Sequence, residues 1–198
     1  MATEERVDRR AAAEAAILAA ASDLLEEGSS FAGLSVEQIA TRAGIGRTAF
    51  YFYFRDKSEL LMRLTGEVTE ALYEEADRWW HGDAELADSL ERIVAVYLEH
   101  KAVLRVVSEA AGYDDDVRAF WVALINRFVD ATRERIEADQ RAGSAVEVPA
   151  AETAMALVWM CERTLYHFSR DTPDADREPV TDALVQIFRR SIYGRLPE

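Results

Sequence analysis

Residues 35–61, SVEQIATRAGIGRTAFYFYFRDKSELL, limit what this chain can fold into more than any other stretch. Ser35 and Gln38 form a capping-box pair, in which a serine oxygen and a glutamine side chain satisfy the free amides of a helix start. Val36, Ile39, Ala40 and Ala43 fall on one face of that helix. Gly44 admits the positive φ that ends it, Ile45 turns into the core, and Gly46 opens the next helix. Phe50 and Phe54 point inward, leaving Arg47, Thr48, Tyr51 and Tyr53 on other faces. Asp56 with Glu59 repeats the capping pattern and launches a third helix carrying Lys57 in its first turn. Two short helices, over 35–43 and 46–53, joined by so tight a turn make a helix-turn-helix. The second offers arginine, threonine and tyrosine where a DNA major groove needs donors.

Half of the chain's 198 residues are hydrophobic (49%), enough for one or two domains with real cores. Few prolines and long Ala/Leu/Glu/Arg-rich runs point to an all-α fold. The single cysteine, Cys161, rules out an internal disulfide and fits a reducing cytoplasm. MATEERVDRR has no signal-peptide core, and no apolar run has membrane-spanning length, so a cytoplasmic protein is expected. A net charge of −14 argues at face value against nucleic acid. Residues 1–65, however, carry 8 basic and 10 acidic side chains, whereas 66–198 carry 15 and 27. Phosphate binding depends on local Lys and Arg, so DNA remains open as a partner.

Along the chain, residues 1–8 read as a mobile arm with Arg6 near its end, followed by a helix over 9–27. From Asp56 a long connector helix runs to Trp79-Trp80 and stops at His81-Gly82. Asp83 is the expected N-cap of the next helix, through Ile93 and Val96 to Leu98, and another covers 101–111. Asp114, Asp115 and Asp116 open a helix to about 142. Pro149 starts one to about 169 that is apolar almost all round and needs cover on two sides. A loop at Pro173 leads to the last helix, ending at Gly194. That makes about nine helices.

The 35–61 stretch, above all AGIGRTAFYFYFRDKSELL, resembles the signature of TetR-family transcriptional repressors. FYFYF at 50–54, HKAV at 100–103, ERTL at 162–165 and SIYG at 191–194 resemble one subgroup, the repressors of the ethionamide-activating monooxygenase. The resemblance implies a homodimer with an N-terminal three-helix DNA-binding domain (1–55) and a C-terminal helical bundle for ligand binding and dimerisation (56–198). It implies that Tyr51 and Lys57 hold operator phosphates and that Arg47, Thr48 and Tyr53 lie on the recognition helix. The chemistry agrees: a lysine at a helix start adds its charge to the positive dipole end, and an arginine fork suits guanine O6 and N7. Packing at the core rim is the competing role for the tyrosines, more for Tyr53 than for Tyr51. Ser35 and Arg42 are candidates for phosphate contact as much as for solvation.

The resemblance also implies a ligand pocket lined by Ile93, Trp121, Ile125, Phe128, Val158, Cys161, Tyr166 and Phe188. Two asparagines that hydrogen-bond ligands in the subgroup align with Val158 and Cys161. The pocket is therefore expected to take a more hydrophobic effector, or to use another polar group: Thr132, Tyr166 or Glu162. Ordinary core packing is the competing reading of this stripe. The last two helices are expected to pair with their symmetry mates in the dimer.

Gly44 to Ala49 matches a dinucleotide-binding pattern, but a helix precedes it where that motif needs a strand. The Asp114 to Asp116 run lacks calcium-loop companions, and the three histidines lack metal-ligand spacing. Glu162-Arg163 is expected to be a structural pair orienting two helices. Neither a cofactor nor an enzymatic role is called for. The expected function is a ligand-released repressor; the alternative is a small-molecule carrier or enzyme with a vestigial helix-turn-helix. A DNA-binding protein without an effector is the third.

Overall fold

The computed structural model describes the backbone of residues 2–171 and 176–194 and the side chains of 10–170 and 176–194. Among the described residues there are nine α-helices and no strand: α1 (Ala2–Glu26), α2 (Val36–Arg42), α3 (Arg47–Phe50), α4 (Lys57–Trp80), α5 (Leu86–Glu99), α6 (Lys101–Ala110), α7 (Asp115–Arg141), α8 (Ala150–Asp171) and α9 (Glu178–Tyr193). The loop expected at Pro173 lies outside the described residues. By packing, the chain gathers into two compact units. One takes residues up to Glu67 together with Ala102–Phe120, the other Val68–Lys101 and the described residues from Trp121 on. This grouping follows contacts and differs from the 1–55 and 56–198 division of roles. All four tryptophans, Trp79, Trp80, Trp121 and Trp159, belong to the second unit.

Several boundaries depart from the sequence reading. Helix α1 begins at Ala2 where an arm was expected; the run is rich in Ala, Glu and Arg and contains no breaker. The second short helix stops at Phe50, and the backbone tightens beyond it. The Phe52 and Tyr53 amides bond back three residues, to the carbonyls of Ala49 (3.1 Å) and Phe50 (2.9 Å). Helix α5 starts at Leu86 with Glu85 as its N-cap, not Asp83. The Asp83 amide is held by the Arg78 carbonyl at 2.7 Å, which closes the end of α4.

The first unit is built on apolar faces that close on one another. Helix α1 packs on α2 and α2 on α3, and Ile17, Ile39, Phe50 and Phe54 are 0–2% exposed. Each such side chain contributes about 1.5–3 kcal/mol by leaving water. The Phe50 and Phe54 rings lie 5.6 Å apart, the inward pair read from the sequence. In the second unit α5 packs on α8 and α9 around a core of Trp79, Leu86, Leu90, Ile136, Leu157, Phe188 and Ile192. One end of that unit is fastened by Asp139, which accepts from Arg135 Nε (2.8 Å) and the Tyr193 hydroxyl (2.9 Å). Gly194 ends α9 at φ 68°, and a Cβ there would come within 2.6 Å of Val146.

Candidate functional site

The helix-turn-helix is set by local hydrogen bonds. Ser35 Oγ accepts from the Gln38 amide (3.2 Å), while Gln38 Oε1 accepts from the Ser35 amide (2.8 Å), closing the capping box. Gly44, at φ 71°, lets the Ile45 amide turn back to the Ala40 carbonyl at 2.9 Å. At the head of α4, Asp56 Oδ1 caps the Glu59 amide (2.8 Å). Glu59 Oε2 reaches back to the Arg55 amide (2.7 Å), one residue earlier than a regular capping box.

The seven expected DNA-binding residues divide into two groups. Arg47, Thr48 and Tyr51 are exposed on α3 and its continuation, and Arg47 forms no ion pair or side-chain hydrogen bond among the described residues. Tyr51 is 48% exposed and stands edge-on to Phe50 at 5.5 Å. Tyr53 is half-buried. The other three are engaged within the protein. Ser35 caps α2. Arg42 makes a bidentate pair with Glu27 at 2.8 and 2.7 Å. The Lys57 ammonium donates to the carbonyls of Phe31 (2.8 Å), Ala32 (3.3 Å) and Leu34 (3.2 Å) and lies 4.7 Å over the Phe31 ring. Lys57 thus fastens the α1–α2 connection to the head of α4. The α6–α7 turn is hooked to the same place: Ser58 Oγ donates to Asp114 at 2.7 Å, and Arg55 reaches Asp116 at 3.5 Å.

The expected ligand-binding residues all fall in the second unit. Trp121, Ile125, Thr132, Tyr166 and Phe188 are buried, whereas Ile93, Phe128, Val158 and Cys161 are half-buried. Ile93, Cys161 and Phe188 meet at one core cluster. Phe128 belongs to an aromatic group with Tyr73 (5.4 Å) and Trp80 (5.7 Å). Thr132 Oγ1 already accepts from the Trp80 indole at 3.1 Å. Burial, and then the Glu162 carboxylate, push the Cys161 thiol up to about 12, so it is protonated and inert at neutral pH. Glu162 is buried, and its pair with Arg163 (3.3 Å) joins neighbours on α8 rather than two helices. Among the described residues no group of His, Cys, Asp or Glu is placed to hold a metal ion, and no helix is long and apolar enough to cross a membrane.

The family profile for bacterial regulatory proteins of the tetR family matches residues 17–64, and that for the C-terminal domain of the transcriptional regulator EthR matches 86–194. The HTH-type transcriptional regulator EthR of Mycolicibacterium smegmatis is 35% identical over 195 residues, covering 93% of this chain and 88% of the relative. The chain belongs to the TetR family. EthR of Mycobacterium tuberculosis is also 35% identical, over 191 residues and 91% of this chain. Among solved structures, a transcriptional regulator from Saccharomonospora viridis in complex with choline shares the fold, with a TM-score of 0.75 at 16% identity. It covers 93% of this chain and 100% of that one. This TetR-family protein is therefore a helix-turn-helix transcriptional regulator, and its relatives are named as regulators rather than enzymes.

Two residues of this TetR-family chain escaped the sequence reading. Phe52, 75% exposed beside Tyr51, is the most exposed large hydrophobic side chain among the described residues. Its aromatic neighbours on both sides hid how far this ring stands out into solvent. Tyr97 on α5 is 4% exposed, and its hydroxyl meets no hydrogen-bond partner among the described residues. A polar atom within the apolar run Ile93, Val94, Val96, Leu98 was the available signal.

Proposed function

We propose that this regulator binds, as a homodimer, an operator of two inverted half-sites about one DNA turn apart, and leaves it when a small hydrophobic effector enters the second unit. In this reading it represses genes in the cytoplasm. One observation carries the DNA half: Arg47, Thr48 and Tyr51 stand exposed on a short helix whose own supports are all internal. Arg47 reads a guanine, Thr48 and Tyr53 flank it, Tyr51 presents its hydroxyl to a phosphate, and Phe52 meets sugar or a thymine methyl. A phosphate reaches the Lys57 ammonium only by displacing three carbonyls. We therefore assign Lys57 to holding the α1–α2 connection, with Ser35 and Arg42 also acting as supports.

The dimer runs through α8 and α9, where Met155 (51% exposed) and Ile187 (42%) leave apolar surface for a second copy. The effector acts only to the extent that it binds the DNA-incompetent arrangement more tightly, and α4, with residues in both units, transmits the shift.

Genomic footprinting with the tagged chain, followed by sedimentation of wild type and Met155→Arg/Ile187→Arg, tests this. The expected result is one pseudo-palindromic sequence, a dimeric wild type, and a monomeric variant that loses the site. Recovery of no common sequence, or a monomer that still protects both half-sites, refutes the reading.

A further inference from the structure

The Tyr97 hydroxyl is enclosed without a hydrogen-bond partner among the described residues. Such a group costs about 1–3 kcal/mol relative to a phenylalanine in its place, and orphans of this kind are uncommon in native cores. Two more buried polar groups, Trp121 Nε1 and Ser89 Oγ, share this condition, and both lie in the second unit.

The surroundings of Tyr97 are those of the expected pocket. Ile93 lies one turn earlier on the same face of α5. From α8, Glu162, Cys161 and Tyr166 come close enough to act on the hydroxyl electrostatically. Burial first, then the Glu162 carboxylate, hold its pKa far above the ordinary tyrosine range, against the opposing pull of Arg163. The hydroxyl therefore keeps its proton and is able to donate. An indole N–H donates only, so Trp121 adds a second buried donor. The neighbouring Glu162 makes this a poor place for an anion, and the nearby arginine is already committed. Arg163 pairs with Glu162 at 3.3 Å and lies 4.8 Å over the Tyr166 ring.

We infer that Tyr97 is the polar anchor of the effector pocket, and that it selects an uncharged apolar molecule bearing a hydrogen-bond acceptor, such as an ester, ketone or amide carbonyl, over a free carboxylic acid. This rests on the effector reading above. It places the polar contact on α5, whereas the positions of the subgroup's two asparagines, Val158 and Cys161, lie on α8.

Titration calorimetry and thermal unfolding of the full chain at pH 7.5 test it, with methyl octanoate, octanoate and nonane as probes. Wild type is expected to bind the ester about tenfold more tightly than either other probe, the worth of one hydrogen bond. Tyr97→Phe brings the ester down to the level of nonane and leaves nonane unchanged. Without any probe, the same variant unfolds about 2–4 °C above wild type, because the orphan hydroxyl is gone. Preference for octanoate, equal ester binding by both proteins, or a lower unfolding temperature for Tyr97→Phe overturns the assignment. If nonane binds and the ester gains nothing, only the role of Tyr97 falls. If wild type takes up none of the probes while still binding its operator, the effector reading falls and takes this inference with it.

Discussion

The two units treat their polar groups in opposite ways. In the first, side chains that look available in the sequence are already spent: Lys57 on three carbonyls, Arg42 on Glu27, Ser35 on the α2 amides, Ser58 on Asp114. In the second, the hydroxyls of Tyr97 and Ser89 and the indole of Trp121 are buried with no partner among the described residues. A unit whose donors are satisfied holds one shape and presents the few groups left over. A unit with enclosed, unspent donors tolerates a local cost that another molecule can remove. DNA recognition calls for the first condition, and effector response for the second.

The contrast breaks most easily at Lys57. Replacement by methionine keeps the stem and removes the ammonium, and is expected to destabilise the first unit by about 3 kcal/mol, since several charge-assisted bonds go at once. In denaturation this appears as a lower midpoint with an unchanged slope. Operator binding by the fraction that remains folded keeps its salt dependence. A fully stable Lys57→Met with a salt slope reduced by about one would return Lys57 to the phosphates.

Arg47→Ala comes next and sharpens the other side of the comparison. With no internal partner to lose, its unfolding temperature is expected to stay that of wild type, while operator affinity falls about 10–100-fold. Fluorescence anisotropy on the footprinted site and on a copy with each guanine replaced in turn locates the base. A variant that binds normally removes Arg47 from the interface.

The smallest effect concerns acid stability. The Ser58 hydroxyl, followed by the amides of Val117 and Asp116, holds the Asp114 carboxyl below its usual range. Because the folded pKa is depressed, its contribution is complete above the unfolded value of about 3.9 and fades as pH falls through the folded one. Asp114→Asn should flatten the stability curve below about pH 4, by no more than a few tenths of a kcal/mol after solvent screening. Identical acid limbs for the two proteins would show that Asp114 contributes nothing there.

Much of the first unit was legible because its rules are local. The Ser35–Gln38 box, the turn at Gly44 and the inward Phe50–Phe54 pair each depend on residues within a few positions of one another. What escaped was nonlocal: nothing near Lys57 in sequence announces carbonyls more than twenty residues earlier, nor does Arg42 announce Glu27. The tightened turn after Phe50 escaped for a different reason, since continued apolar spacing looks the same in either kind of helix. In the second unit the stripe of Trp121, Ile125 and Phe188 was readable as buried. Yet Thr132, expected there as a polar group, accepts from the Trp80 indole, and the orphan at Tyr97 depends on tertiary packing that no local spacing shows.

The tryptophans have a practical consequence. Trp79, Trp80, Trp121 and Trp159 all belong to the second unit, and the first unit has none. Tryptophan emission, excited selectively over the tyrosines, therefore watches that unit alone. A quencher or wavelength shift on adding a small molecule reports its arrival at that half, and a shift on adding operator alone is a signal that has crossed from the other.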